Sequence, residues 1–141
     1  MLLSFDLFPE RMLLLARFSG TYSTADGNEL VENFLNAPPD TASYRHLYDL
    51  TDVEVFDADF GTISSMVSSK TSRFSDIPRG TACAILAPGD IAFGMARMYQ
   101  SISQDVLPFD MTIFRTEAQA LAALGQSETT IAALLQAEGR G

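Results

Sequence analysis

Carboxylates crowd the segment DLTDVEVFDAD, which carries Asp49, Asp52, Glu54, Asp57 and Asp59 within eleven positions. Oxygen ligands at that density suit a hard cation such as Mg²⁺ if they converge, and a metal-assisted reaction at Asp52, Asp57 and Asp59 is the most concrete enzymatic reading. Asp57 and Asp59 also stand where helix N-caps and first-turn acids belong, and Asp52 is a natural turn residue. The pattern is thus explained without a metal, and no metal ligand or cofactor is assigned.

Other reactive side chains are sparse. His46 is the only histidine, and alternation along YRHLYDL places it mid-strand on the face of Tyr44 and Tyr48. That position suits a satisfied or half-exposed strand histidine better than a general base, which needs substrate access. Cys83 is the only cysteine; in the apolar run TACAIL it reads as a small core residue with a high thiol pKa. A single cysteine also excludes an internal disulfide, a multi-thiolate zinc site and a redox pair. Neither GxGxxG nor GxxxxGK[ST] occurs, so nucleotide binding through those loops is unsupported, and no catalytic residue is assigned. Arg97 and Arg115 are candidates for carboxylate or phosphate recognition. In so acidic a chain, surface ion pairing is their simpler use.

The elements that must position these groups follow from periodicity. Leu2 to Leu7 and Met12 to Phe18 read as strands joined across a proline-containing loop. Ser23 or Thr24 caps a helix carrying Leu30, Val31, Phe34 and Leu35, which Pro38 and Pro39 end. Tyr44 to Leu50 is a strand leading into an acidic turn, and a helix follows with Phe60, Ile63 and Val67 on one face. Its end carries Lys70 and Arg73, cations that favour the carbonyl end of the helix dipole. Gly80 to Ala87 is a strand covered on both faces. Asp90 caps a helix to about Ser103 whose buried stripe is Ile91, Met95, Met98, Tyr99 and Ile102. Asp110 to Arg115 is a short last strand. Thr116 and Gln119 open a further helix that Gly125 stops, and a final Ala-rich helix spans roughly Glu128 to Ala137. This order, two strands and then alternating helices and strands, predicts an α/β fold with a largely parallel sheet. We read residues 1–125 as the α/β domain and 126–141 as a C-terminal helical extension and tail.

Nine basic against eighteen acidic residues leave a net charge of −9, which repels nucleic acid and anionic lipid surfaces. Asp6, Pro9, Glu10 and Arg11 interrupt the apolar start, so it does not read as a signal peptide. No run approaches the ~20 apolar residues of a transmembrane segment, and the cytoplasm is the expected compartment.

Phe93 falls nearly opposite the buried stripe of its helix at ~100° per residue, and Phe56 lies in the acidic turn. Both loops follow strand carboxyl ends, where ligands gather in such sheets. The candidate binding rim is therefore Phe56, Asp57, Asp59, Asp90 and Phe93, with Arg97 nearby, an apolar lip framed by acids.

The element order, the passage Asp49 to Phe60, and the GMARMYQ helix followed by IFRTEAQALAALG resemble the SpoIIAA-like branch of the STAS and Sec14-related domains. The resemblance covers Met12 to Gly125. It implies a β-α superhelix with a mixed, mostly parallel five-stranded sheet packed with four to five helices. The family includes anti-sigma-factor antagonists and relatives of lipid carriers. In the antagonists the matching turn carries Asp-Ser-Ser-Gly, whose serine accepts phosphate and so switches partner binding. Here it corresponds to Asp57-Ala58-Asp59-Phe60, and Ala58 has no hydroxyl. The resemblance then implies a non-enzymatic, regulatory domain that binds a protein partner or a small apolar ligand without that phosphoswitch. A second reading is a lipid or hydrophobic-metabolite carrier with a closed pocket between sheet and helices. Phe93 and the Ala-rich final helix supply material for an isologous patch, so a homodimer is expected under either reading.

Overall fold

Two long neighbouring strands set the frame. A computed structural model describes residues 2–140; Met1 and Gly141, which end the two ranges read from the sequence, lie outside them. The elements are β1 (Leu2–Phe8), β2 (Leu13–Ser23), α1 (Thr24–Leu35), β3 (Arg45–Asp57), α2 (Phe60–Arg73), β4 (Thr81–Leu86), α3 (Asp90–Ser103), β5 (Phe109–Phe114), α4 (Glu117–Ala123) and α5 (Ile131–Ala137). They build a mixed five-stranded sheet in the order β1-β2-β3-β4-β5. Only β1 and β2 run antiparallel; the other neighbours are parallel.

Alternation along the strands divides the core between the two sheet faces. Leu14, Ala16 and Phe18 of β2 join Tyr48, Ile85 and residues of α1, α2 and α3 on one face. Leu13 and Leu15 join Leu47, Leu86 and residues of α4 and α5 on the other. The C-terminal segment is tied into this second face by Ile131, Leu134 and Leu135 and by Arg11, whose guanidinium donates to Glu128 at 2.7 and 2.9 Å and to Glu138 at 3.0 Å.

Several boundaries differ from the sequence reading. The supposed acidic turn is strand as far as Asp57, because β2 also runs on to Ser23 and supplies a parallel partner for it, with Tyr22 opposite Phe56. The alternating β-branched residues Thr51, Val53 and Val55 favour that extended form. α3 is capped by Gly89, and Asp90 is its first residue. α5 begins only at Ile131, where Thr130 caps it and Glu117 accepts from the Ile131 N–H, so Glu128 lies in the preceding loop. Gly125 does end α4, with a φ of 74° that favours glycine.

Candidate functional site

The helix α2 places the most unusual side chain of the chain. Its start is fixed by reciprocal hydrogen bonds: the Thr62 N–H donates to Asp59 Oδ1 at 2.8 Å, and the Asp59 N–H donates to Thr62 Oγ1 at 3.0 Å. Hydrogen bonding from Thr62, its backbone N–H first, holds the Asp59 carboxyl below its usual range. From there, Ile63, Met66, Val67 and Lys70 fall on the face turned to the sheet, and all four are buried. Lys70 lies in the last turn of α2, as its place in the sequence predicts, and is only 2% exposed. Four and three residues beyond Met66 and Val67, position 70 continues the apolar stripe whatever residue occupies it.

Among the described residues no carboxylate pairs with Lys70. Among the described residues its Nζ has one hydrogen-bond partner, the Tyr99 hydroxyl at 3.0 Å, and it lies 4.9 Å from the Tyr99 ring centroid. Burial pushes the ammonium down to about 8. The same environment keeps its neighbours neutral. Burial pushes the Cys83 thiol up to about 12 and raises Tyr48 and Tyr99 well above the usual phenol value. His46 is pushed down to about 3, first by burial and then by the Lys70 charge. Its Nδ1 lies 2.7 Å from the Tyr48 hydroxyl, and its buried Nε2 has no hydrogen-bond partner among the described residues. His46 is therefore a buried aromatic of the core, packed 4.8 Å centroid to centroid from Phe109.

Lys70 faces a cavity between the sheet and α1, α2 and α3. It has about 550 Å³ not filled by protein atoms, counting the part that opens to solvent. The sheet contributes Phe18, Tyr22, Tyr48, Leu50, Phe56 and Ile85; the helices contribute Gly27, Leu30, Ile63, Met66, Met95, Ala96 and Tyr99. Lys70 is the one charged side chain in this lining. Gly27 lets α1 approach closely, since a Cβ there would lie 2.3 Å from Met66 Sδ and 2.9 Å from Tyr22 Oη. Met66 also lines a polar groove with Thr24, Asn28, Asp59 and Ser65, so its flexible thioether borders both that groove and the apolar cavity.

The residues of the sequence-derived rim are distributed as follows. Phe56 lines the cavity, its ring 5.8 Å from that of Tyr22. Asp57 is exposed at the end of β3, and Asp59 is the α2 cap. Asp90 accepts from Arg115 at 2.6 Å, and that guanidinium lies 4.1 Å from the centroid of the Phe93 ring. Phe93 is thus half-buried beneath an ion pair, and Arg97 is exposed. Of the stripe read along α3, Met95, Met98, Tyr99 and Ile102 pack against the core, whereas Ile91 is 74% exposed and Ala92 and Ala96 are buried beside them. No group of three or more His, Cys, Asp or Glu side chains gathers as around a metal ion among the described residues. No helix of the described residues is long and apolar enough to cross a membrane.

The strand order, the single antiparallel edge and the helices on both faces define a SpoIIAA-like α/β fold. The chain is similar to the crystal structure of an uncharacterized DUF3478-family protein with a SpoIIAA-like fold from Shewanella loihica PV-4, with a TM-score of 0.53 and 14% identity over 87% of this chain and 92% of that one. No family model and no curated protein matches the sequence. Ala58, the position aligned with the phospho-acceptor serine by resemblance, sits between β3 and α2 and packs half-buried against the core.

Proposed function

We propose that this chain is a non-enzymatic ligand-binding domain that takes a small apolar molecule into the cavity between the sheet and α1 to α3. The observation that carries this reading is the lining itself: thirteen uncharged residues and one lysine around a partly open space. Ligand sites are typically apolar concavities with a few convergent polar groups, and Lys70, Tyr99 and Tyr48 are those groups here. Cys83 and His46, held neutral and buried, supply neither nucleophile nor base, which supports binding over catalysis. Phe56 is the member of the sequence-derived rim that belongs to this site.

The test is a titration with n-octanol, an uncharged apolar probe, followed by methionine-methyl NMR. Met66 and Met95 line the cavity and Met12 is exposed on the far hairpin. Saturable shifts at Met66 and Met95, with Met12 unmoved, are expected. Uniform or non-saturating shifts refute occupancy of the cavity.

A further inference from the structure

We propose that the ligand of this cavity carries a single carboxylate, which Lys70 and Tyr99 receive at the cavity wall while the apolar body fills the space between sheet and helices. This inference rests on the cavity-binding reading above and adds the chemistry of the head group.

An ammonium has three donors and a strong need of an anion when removed from water. Lys70 is buried, yet a neutral phenol is its one hydrogen-bond partner among the described residues, which leaves two N–H donors unused. The titratable groups around it are Tyr99 on α3, Tyr48 and His46 on β3, Cys83 on β4 and Tyr22 on β2. None is a carboxylate, and the α1 residues of the lining, Gly27 and Leu30, do not titrate. Tyr99 accepts from Lys70, so its own hydroxyl hydrogen remains to be donated. A carboxylate placed beside the pair collects two N–H donors and one O–H donor. One positive charge balances one carboxylate but not a phosphate dianion, and the remaining walls exclude a second charged group.

The experiment compares octanoate, octanol and octylamine on the wild-type chain at pH 7 by the same methionine-methyl NMR and by calorimetry. Octanoate is expected to bind about ten- to a hundredfold more tightly than octanol, the range of a hydrogen-bonded charge pair, and octylamine more weakly than either. Lys70→Met should bring octanoate down to the octanol level or below it, and cooperative urea unfolding of the variant shows that it is folded. Tyr99→Phe, which keeps the ring, should reduce the preference several-fold. The preference should also shrink as the pH is raised past 8, where Lys70 loses its proton. Equal binding of octanoate and octanol overturns the carboxylate inference and leaves the cavity reading standing, whereas absence of binding by both overturns the cavity reading as well. Borohydride trapping of octanal on Lys70, with no preference for octanoate, also overturns it, in favour of imine chemistry.

Discussion

Replacing Lys70 by methionine should stabilise the protein at neutral pH and destabilise it in alkali. The ammonium's fall from 10.5 to about 8, at ~1.4 kcal/mol per tenfold change in the proton equilibrium, makes burying the charge cost about 3 kcal/mol. Because the folded-state value is lowered, the unfolded chain binds more protons between pH 8 and 10.5, and wild-type stability from this group rises with pH across that window. Met fills similar space without a charge, so it removes the cost. It also strips the Tyr99 hydroxyl of its partner, which offsets about 1–2 kcal/mol. The net expectation is a gain of roughly 1–2 kcal/mol at pH 7 and a loss of roughly the same size at pH 10.5, a swing of about 3 kcal/mol. Cys83 and the buried tyrosines lose stability as pH rises, but they do so in both proteins, so the difference between them is the readout. Urea unfolding followed by circular dichroism at a series of pH values measures it. A difference between wild type and Lys70→Met that stays constant from pH 7 to 10.5 would refute a charged, desolvated Lys70.

Gly27→Ala gains helix propensity worth about 1 kcal/mol but must displace Met66 and Tyr22 into the cavity, at a cost of roughly 1–3 kcal/mol. Stability should change little while octanol affinity falls several-fold, and unchanged affinity would mean that Met66 has room elsewhere. His46, held at about 3 against an ordinary 6.5, favours folding above pH 6.5 and loses that contribution as pH falls towards 3. Between those values wild type should lose about 4 kcal/mol more than His46→Asn, and coincident acid profiles in guanidinium melts would contradict a neutral buried imidazole. Arg11→Met should speed amide exchange in α5 while leaving α1 to α3 unchanged, because Arg11 links the β1–β2 hairpin to Glu128 and Glu138; equal exchange in α5 would show that its apolar face alone holds it.

The architecture was legible because it rests on apolar periodicity and on caps, both local signals. Ser23, Asp59 and Thr116 cap the helices that their spacing announces. Errors arose where a distant partner decides the outcome. No local signal says that β2 extends far enough to hold Val53 to Asp57 in a sheet, since that pairing joins residues more than thirty positions apart. Phe93 looked unpartnered because Arg115, which covers it, comes from another crossover. The place of Lys70 in the last turn of α2 is legible, but its burial follows from position and not from residue type. Continuing the stripe Ile63, Met66, Val67 by one turn places position 70 on the buried face, and a charge on such a face is the signal that could have been found.

The two properties of Lys70, its lack of an anion and its lowered affinity for protons, are one quantity seen from two sides. A ligand carboxylate that restored the ordinary value of 10.5 from about 8 would draw in a proton as it bound wherever Lys70 is neutral in the empty protein. Linkage then sets a ceiling on the pH dependence of affinity: octanoate should weaken by up to about 100-fold between pH 7 and 10.5, and octanol should be indifferent to pH over the same interval. The same free energy appears with opposite sign in the stability of the empty protein, which rises over that interval. A domain selected for stability alone would place an apolar side chain at this point of the cavity wall. If the proposed carboxylate ligand binds, retaining an ammonium there makes folding weaker and that binding stronger by comparable amounts.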